Sequence, residues 1–66
     1  MKLNGTDHKL DKSQTLDEFL KARGYNPAIV AVELNGQIIS KGEYENTIVD
    51  DRAAIEVVRF VGGGLI

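Results

Sequence analysis

The segment DRAAIEVVRFVGGG, residues 51–64, decides how the chain is expected to fold. An acidic turn opens it, an apolar run follows over residues 55–61, and three glycines end it. Side chains of a strand point alternately to its two faces. Here apolar side chains occupy both faces: Ile55 and Val57 on one, Val58 and Phe60 on the other. Such a run is typical of a central strand, and we expect it to pair with the first strand of the chain.

The chain begins with MKLNG, in which apolar and polar residues alternate. Asn4 and Gly5 form a pair typical of a tight type I′ turn, because both residue types tolerate a positive φ angle. The pattern predicts a hairpin in which residues 6–10 return as a polar edge strand. A loop is expected over residues 11–14.

A helix is predicted to begin at Thr15. Thr15 and Glu18 have the spacing of a capping box, in which each side chain binds the backbone amide of the other residue. Gly24 suits the left-handed position that ends a helix, and Pro27 prevents its continuation. Apolar residues spaced three and four apart form one stripe on this helix: Leu16, Phe19 and Leu20.

Two further strands are predicted in the middle of the chain, over residues 28–34 and 37–39. Residues 35–36 are Asn-Gly, which indicates a second tight hairpin between them. Residues 40–46 are expected to form a loop or one short helical turn. A brief strand is expected over residues 47–49, before the acidic turn.

This order of elements predicts an α+β roll, in which a mixed four- or five-stranded sheet packs against one helix. Residues 1–61 are expected to form the domain, and residues 62–66 a flexible tail. The core is predicted to contain the apolar residues of the helix stripe and of the inward-facing strand positions: Leu3, Leu16, Phe19, Leu20, Val30, Val32, Ile55 and Val57.

Composition narrows the class of protein. A sequence of 66 residues is near the lower limit for one self-sufficient core, so a single domain is expected. The absence of cysteine excludes disulfides, thiolate zinc sites and a cysteine nucleophile. The formal charge is −2 and no basic cluster occurs, so no nucleic-acid partner is expected. No segment resembles a membrane span or a signal peptide, and the cytoplasm is the expected location.

Gly62, Gly63 and Gly64 follow the predicted central strand, and Leu65 and Ile66 follow them. Glycine has more backbone freedom than any other residue. The segment has three interpretations: a frayed end, a linker, or a thread thin enough to carry a terminal carboxylate into a narrow channel. In the third interpretation ATP adenylates the carboxylate, because a free carboxylate has a poor leaving group.

Four segments give the chain a resemblance to a known family: MKLNG, TLDEFL, AIVAVELNGQII and DRAAIEVVRFVGGG. Together they resemble the ThiS family of sulfur carriers, within the ubiquitin-like β-grasp group that also contains MoaD. The last segment is the most specific, because it joins an acidic turn, an alternating apolar strand and a glycine run. The resemblance covers the whole chain and implies a β-grasp fold, which agrees with the predicted roll.

The resemblance also implies a role in thiamin biosynthesis as a protein cosubstrate, not as an enzyme. A ThiF-like adenylyltransferase would use ATP and magnesium to adenylate the terminal glycine. Sulfur drawn from cysteine by a cysteine desulfurase or sulfurtransferase would then convert the adenylate to a thiocarboxylate. A ThiG-like thiazole synthase would accept that sulfur for the thiazole ring. The carrier itself is expected to bind no metal or cofactor.

By this resemblance Gly64 is the site of adenylation and thiocarboxylate formation, and Gly62 and Gly63 belong to the tail. The family pattern ends at the glycine, whereas this chain continues to Ile66, whose branched side chain should not enter a channel shaped for glycine. Three explanations remain open: removal of Leu65 and Ile66 by a processing protease, a cloning remnant, or loss of sulfur transfer. We favour the first two, because the glycine run otherwise has no purpose.

Three residues before the glycines are candidates for partner docking. Val58 and Phe60 are expected on the sheet face away from the helix, where they would contact the adenylating enzyme. The alternative is that a loop covers this face or that the exposed residues are simply tolerated. Arg59 would pair with a carboxylate of the partner or be solvated at the strand end.

Other polar residues have simple structural interpretations. His8 is expected at the surface, and Asp50 and Asp51 are explained by turn formation. Two alternative functions remain. One is a related carrier of the MoaD type or of an amino-acid pathway, matured by removal of the extension. The other is a β-grasp binding module without acyl chemistry.

Overall fold

The computed structural model describes residues 1–59. The elements follow one another in this order: β1 (Lys2–Leu3), β2 (Thr6–Asp7), β3 (Gln14–Thr15), α1 (Leu16–Ala22), a 3₁₀ helix (Pro27–Ile29), β4 (Val30–Leu34), β5 (Gln37–Ile39), a second 3₁₀ helix (Lys41–Glu43), β6 (Ile48–Val49) and β7 (Ala54–Arg59). Residues 60 and 61 of the predicted last strand, and the predicted tail, lie outside the described residues.

Five of the strands form one mixed sheet in the order β2-β1-β7-β4-β5. β1 and β7 are parallel, and the other neighbouring pairs are antiparallel. The predicted central position of the last strand and its pairing with the first are therefore confirmed. β3 and β6 pair with each other in a separate two-stranded sheet.

Both predicted Asn-Gly turns are present. Asn4 and Gly5 have φ angles of 52° and 82°, and Asn35 and Gly36 have φ angles of 50° and 88°. Positive φ at both central positions is the condition for a type I′ turn, whose twist matches that of the flanking strands. The two turns therefore set the registers of β1 with β2 and of β4 with β5.

The capping box of α1 is also confirmed. The amide of Glu18 donates to the Thr15 hydroxyl oxygen, and the amide of Thr15 donates to the Glu18 carboxylate, each over 3.0 Å. At the other end Gly24 has a φ angle of 85°. The amide of Tyr25 donates to the Leu20 carbonyl over 2.9 Å, which completes a Schellman ending and fixes Tyr25 beside the helix.

Three local expectations were wrong. The predicted edge strand over residues 6–10 is only two residues long. Residue 14, expected in a loop, pairs with β6. Residues 28 and 29, expected at the start of a strand, belong to the first 3₁₀ helix, because the Asn26 side chain accepts the amide of Ala28 over 3.0 Å and turns the chain.

The core contains all of the residues expected there, since each is less than a tenth exposed. Three further buried residues were not expected: Tyr44, Val49 and Ala53. Tyr44 lies in the segment between β5 and β6, and its hydroxyl donates to the Val30 carbonyl over 3.1 Å. That segment also binds the first backbone amides of the helix. The Tyr44 carbonyl accepts the Asp17 amide, and the Thr47 carbonyl accepts the Leu16 amide.

The burial of Tyr44 predicts a pH effect on stability. Loss of solvent around the phenol raises the pKa of Tyr44 above its ordinary value of 10.0. The phenol therefore keeps its proton to a higher pH in the folded state than in the unfolded state. The contribution of Tyr44 to the free energy of unfolding is full below about pH 10 and falls as the pH rises further. Tyr44→Phe should remove this loss. Urea unfolding between about pH 9 and pH 11.5 measures it, and parallel pH curves for the two proteins would contradict the assignment.

Candidate functional site

The candidate site is the end of β7, from which the chain continues toward the glycines. On one side β7 pairs with β4 as far as Arg59, which lies opposite Val30. On the other side β1 is only two residues long and ends at Leu3. The Asn4 side chain extends this short pairing, since its amide oxygen accepts the amide of Val57 over 2.7 Å. The strand that leads to the glycines is therefore held from both sides.

The start of β4 supports the same end of the sheet. The Val30 carbonyl accepts hydrogen bonds from the Lys41 ammonium group over 2.7 Å and from the Tyr44 hydroxyl over 3.1 Å. The Val30 side chain is fully buried. Both groups that bind the carbonyl come from the segment after β5, so that segment fixes the residue opposite Arg59.

Arg59 lies on the helix side of the sheet, at the position that follows buried Ile55 and Val57 on that face. Its guanidinium group is 5.4 Å from the centre of the Tyr25 ring, a distance typical of a cation–π contact. Tyr25 is itself fixed by the Schellman ending of α1. The sequence offered a partner carboxylate or solvent for Arg59 and missed this aromatic contact, which joins the last described residue to the helix.

Val58 lies on the opposite face of the sheet, as expected, and its side chain is 62% exposed. Ala31 lies directly across from it on β4. Ile38 on β5 lies on the same face and is 81% exposed. We call this surface the sheet patch; its residues are Ala31, Glu33, Ile38, Glu56 and Val58. The exposure of Val58 that the docking hypothesis requires is present.

The sequence analysis missed Ile38 because its place on the same face as Val58 depends on the order of strands. β5 lies next to β4, and β4 next to β7, so residues far apart in the chain share one face. Phe60, the second predicted docking residue, lies outside the described residues. So do Gly62, Gly63 and Gly64.

Polar groups elsewhere have structural roles. The Asp51 carboxylate accepts the amide of Leu10 over 2.8 Å, which lowers the pKa of Asp51. The Asp50 carboxylate accepts the amide of Arg52 over 2.9 Å, which lowers the pKa of Asp50. The turn interpretation is confirmed for Asp50. It is incomplete for Asp51, whose carboxylate holds the start of the chain through Leu10 and the amino group of Met1. His8 is half-buried, with one ring nitrogen 3.2 Å from the Arg23 guanidinium group. Within residues 1–59 no cluster of His, Asp or Glu side chains could hold a metal ion.

No helix in the described part of the chain is long and apolar enough to cross a bilayer.

Comparison with known proteins identifies the family. The sequence model of the ThiS family matches residues 1–64 and so ends at the third glycine. The chain belongs to the ThiS family. It is 42% identical over 65 residues to the sulfur carrier protein ThiS of Bacillus subtilis, covering 97% of this chain and 98% of that protein. The family resemblance expected from the sequence is thereby confirmed.

A solved structure shows the same fold. The crystal structure of the thiamine biosynthesis protein ThiS from Geobacter metallireducens superimposes with a TM-score of 0.80, at 33% sequence identity and over 96% of each chain. The predicted β-grasp fold, with one helix on a mixed sheet, is therefore confirmed, and the sheet has five strands.

Two larger relatives carry a different name. The thiazole synthase of Magnetococcus marinus is 40% identical over 62 residues, and that of Paramagnetospirillum magneticum is 36% identical over 62 residues. The match covers 94% of this ThiS-family chain but only 19% of each synthase. A segment that resembles nearly the whole chain is thus one part of each of these longer proteins.

The Asn4 contact gives a testable prediction for the end of β7. Asn4→Gly keeps the positive φ angle but removes the acceptor of the partly buried Val57 amide. The free energy of unfolding should fall by about 1–2 kcal/mol, and the Val57 amide should exchange its hydrogen faster. Urea unfolding and hydrogen exchange measure both effects.

The matched control is Asn35→Gly, which changes the same position of the second type I′ turn. The Asn35 side chain accepts the Ala54 amide over 2.9 Å, but this bond is exposed to solvent. The control should therefore cost less stability and leave Val57 exchange unchanged. Equal losses in the two variants would show that the Val57 bond has no special role.

Proposed function

We propose that this protein is a sulfur carrier for thiamin biosynthesis, in which a C-terminal glycine carries sulfur to the thiazole. The observation that carries the proposal is the ThiS-family match, which runs through the folded domain and ends at Gly64. The Bacillus subtilis relative, a sulfur carrier by name, supports it over nearly the full chain. The carrier acts as a cosubstrate of other proteins and is not itself an enzyme.

The proposed reaction begins with activation of the Gly64 carboxylate. One carboxylate oxygen attacks the α-phosphorus of ATP and releases pyrophosphate, with magnesium held by the adenylating enzyme. The terminal sulfur of a persulfide donor then attacks the acyl carbon and displaces AMP. A thiol cleaves the resulting acyl disulfide, which leaves the thiocarboxylate and a disulfide of the thiol with the donor. Activation is needed because oxide is a poor leaving group, whereas AMP is a good one. Sulfur comes from cysteine through a desulfurase or sulfurtransferase.

Gly64 becomes the reacting end when Leu65 and Ile66 are removed, and we propose a processing protease for this step. The family match supports it by ending two residues before the end of the sequence. Gly62 and Gly63 present no side chain, so the thread before the acyl carbon stays as thin as a backbone. A leucine followed by a β-branched isoleucine would not fit the same channel.

The proposed partners are a ThiF-like adenylyltransferase and a ThiG-like thiazole synthase. The two thiazole synthases that contain a matching segment support the second partner, because they join such a segment to the rest of a synthase in one chain. Support for the first is chemical, since adenylation must precede sulfur transfer. The cytoplasmic location stays a prediction.

Docking of the adenylating enzyme is proposed on the face that carries Val58, where the alternation along the sequence also predicts Phe60. A featureless glycine thread offers little for recognition, so the folded domain must supply it. The exposed Val58 side chain supports this choice of face. Arg59 remains a candidate contact of the adenylating enzyme. It lies on the other face of the sheet, against the Tyr25 ring.

Intact-mass measurement tests the proposed chemistry. Chains of residues 1–64 and 1–66 are incubated separately with the adenylyltransferase, ATP, magnesium and a sulfur source. Only the shorter chain should gain the mass of one sulfur in exchange for one oxygen, because only it ends in glycine. Equal reaction of both chains would refute the need for trimming.

A third chain ending at Gly62 separates the carrier from the alternative of a binding module. It should stay folded by circular dichroism and gain no sulfur, because its glycine thread is two residues shorter and its end is not at Gly64. If the 1–64 chain also gains none while it still binds its partners, the β-grasp binding module without acyl chemistry is the better description. A carrier of the MoaD type or of an amino-acid pathway would gain sulfur but would not pass it to the thiazole synthase.

A further inference from the structure

Arg59 is the last described residue of β7, and it lies where the pairing with β1 has ended. Successive residues of an antiparallel strand direct their backbone groups alternately to the two sides. In β7 the Ile55 carbonyl accepts the Asn4 amide over 2.8 Å, and the Val57 amide donates to the Asn4 side chain over 2.7 Å. Both residues therefore direct these groups toward β1. By the same alternation the backbone groups of Arg59 also point to that side.

Neither neighbouring strand offers the Arg59 backbone a hydrogen bond within residues 1–59. On one side β1 ends before it reaches that level. On the other side lies Val30, whose carbonyl accepts hydrogen bonds from Lys41 and Tyr44 instead. In the described part of the sheet, the last residue of β7 whose backbone groups point toward β4 is therefore Val58.

The Arg59 side chain is held by the Tyr25 ring, whose centre lies 5.4 Å from the guanidinium carbon. Tyr25 is itself well fixed, since its amide donates to the Leu20 carbonyl over 2.9 Å and its side chain packs against the core. The ion pairs of the described residues involve other cations: the Met1 amino group, Lys2, Lys21 and Arg52. The cation–π contact is thus the described interaction that joins the end of β7 to the helix.

We propose that Tyr25 is a positioning residue for the Gly64 acyl end, because its ring holds Arg59 and so keeps the end of β7 ordered. This inference rests on the proposed function, since it assumes that Gly64 reacts. Gly64 follows Arg59 by five positions. Each residue that has to be ordered when the acyl end enters an active site adds an entropic cost. A fixed Arg59 removes one residue from that number.

A positioning role and a docking role change different kinetic constants. Loss of order at Arg59 leaves the outer face with Val58 unaltered, so the KM for the carrier should stay the same while kcat falls. Loss of a direct contact between Arg59 and the adenylating enzyme should raise KM instead. An exposed cation–π contact corresponds to about a two- to fivefold change, which sets the size of the effect.

Tyr25→Leu removes the aromatic ring and keeps an apolar side chain against the core. In the 1–64 chain this variant should lower kcat for sulfur gain about two- to fivefold at unchanged KM. The NMR order parameter of the Arg59 backbone amide should fall as well. Tyr25→Phe keeps the face of the ring, and it should match the unmodified chain in both measurements.

Arg59→Gln removes the cation and should reproduce the effect of Tyr25→Leu on kcat. The double variant Y25L/R59Q should lose no more than either single variant, because all three remove one contact. Arg59→Gln also keeps the test valid if Tyr25→Leu fails to fold, since the Arg59 side chain is exposed.

The matched control is Arg23→Gln. The Arg23 guanidinium group lies 5.2 Å from the centre of the Phe19 ring, a similar contact at the end of the same helix. This variant should change neither the order parameter of Arg59 nor kcat. An equal loss of kcat in Arg23→Gln would show that the effect is general to the helix and would contradict the positioning role.

Two further results would overturn the inference. One is an unchanged order parameter of Arg59 in Tyr25→Leu. The other is a raised KM in Arg59→Gln with normal kinetics in Tyr25→Leu, which would make Arg59 a docking residue. In either case the proposed function stands as long as the unmodified 1–64 chain gains sulfur. If that chain gains none, the proposed function fails and the positioning role fails with it.

Discussion

The structure depends on the pairing of β7 with two strands that lie far from it in the sequence. β1 supplies a parallel neighbour from the start of the chain, and β4 supplies an antiparallel neighbour from the middle. The bond from the Val57 amide to the Asn4 side chain spans 53 positions of sequence. Closing such a long loop has a large entropic cost, which is offset only when the whole sheet forms. The helix then packs on the inner face of the completed sheet, where Ile55 and Val57 are buried.

Local signals in the sequence predicted the elements that depend on local physics. The Asn-Gly turns, the capping box and the alternation in β7 involve residues a few positions apart, and each appears as expected. The β3–β6 pair and the burial of Tyr44 and Val49 were missed for the opposite reason. Their partners lie far away in sequence, and short strands of two residues carry no periodic pattern that a sequence can display.

The same division applies to the candidate site. Alternation along β7 was enough to place Val58 on the outer face. The places of Glu33 opposite Glu56 and of Ile38 opposite Glu33 depend on the register between strands. Sequence patterns leave this register open when both faces carry apolar residues. The contact of Arg59 with Tyr25 was not predicted, because it depends on the direction in which the chain leaves the helix.

A domain of this size has little stability to spare, since few apolar residues can be fully buried. Within that limit the two faces of the sheet differ in composition. On the inner face the buried residues are apolar, and no charged side chain is buried in the described part of the chain. The outer face carries exposed valine and isoleucine beside two carboxylates, a composition that suits contact with another protein better than contact with water. The inner face of the sheet thus stabilises the fold, whereas the outer face is available to a partner. β7, which leads to the glycines, contributes side chains to both faces.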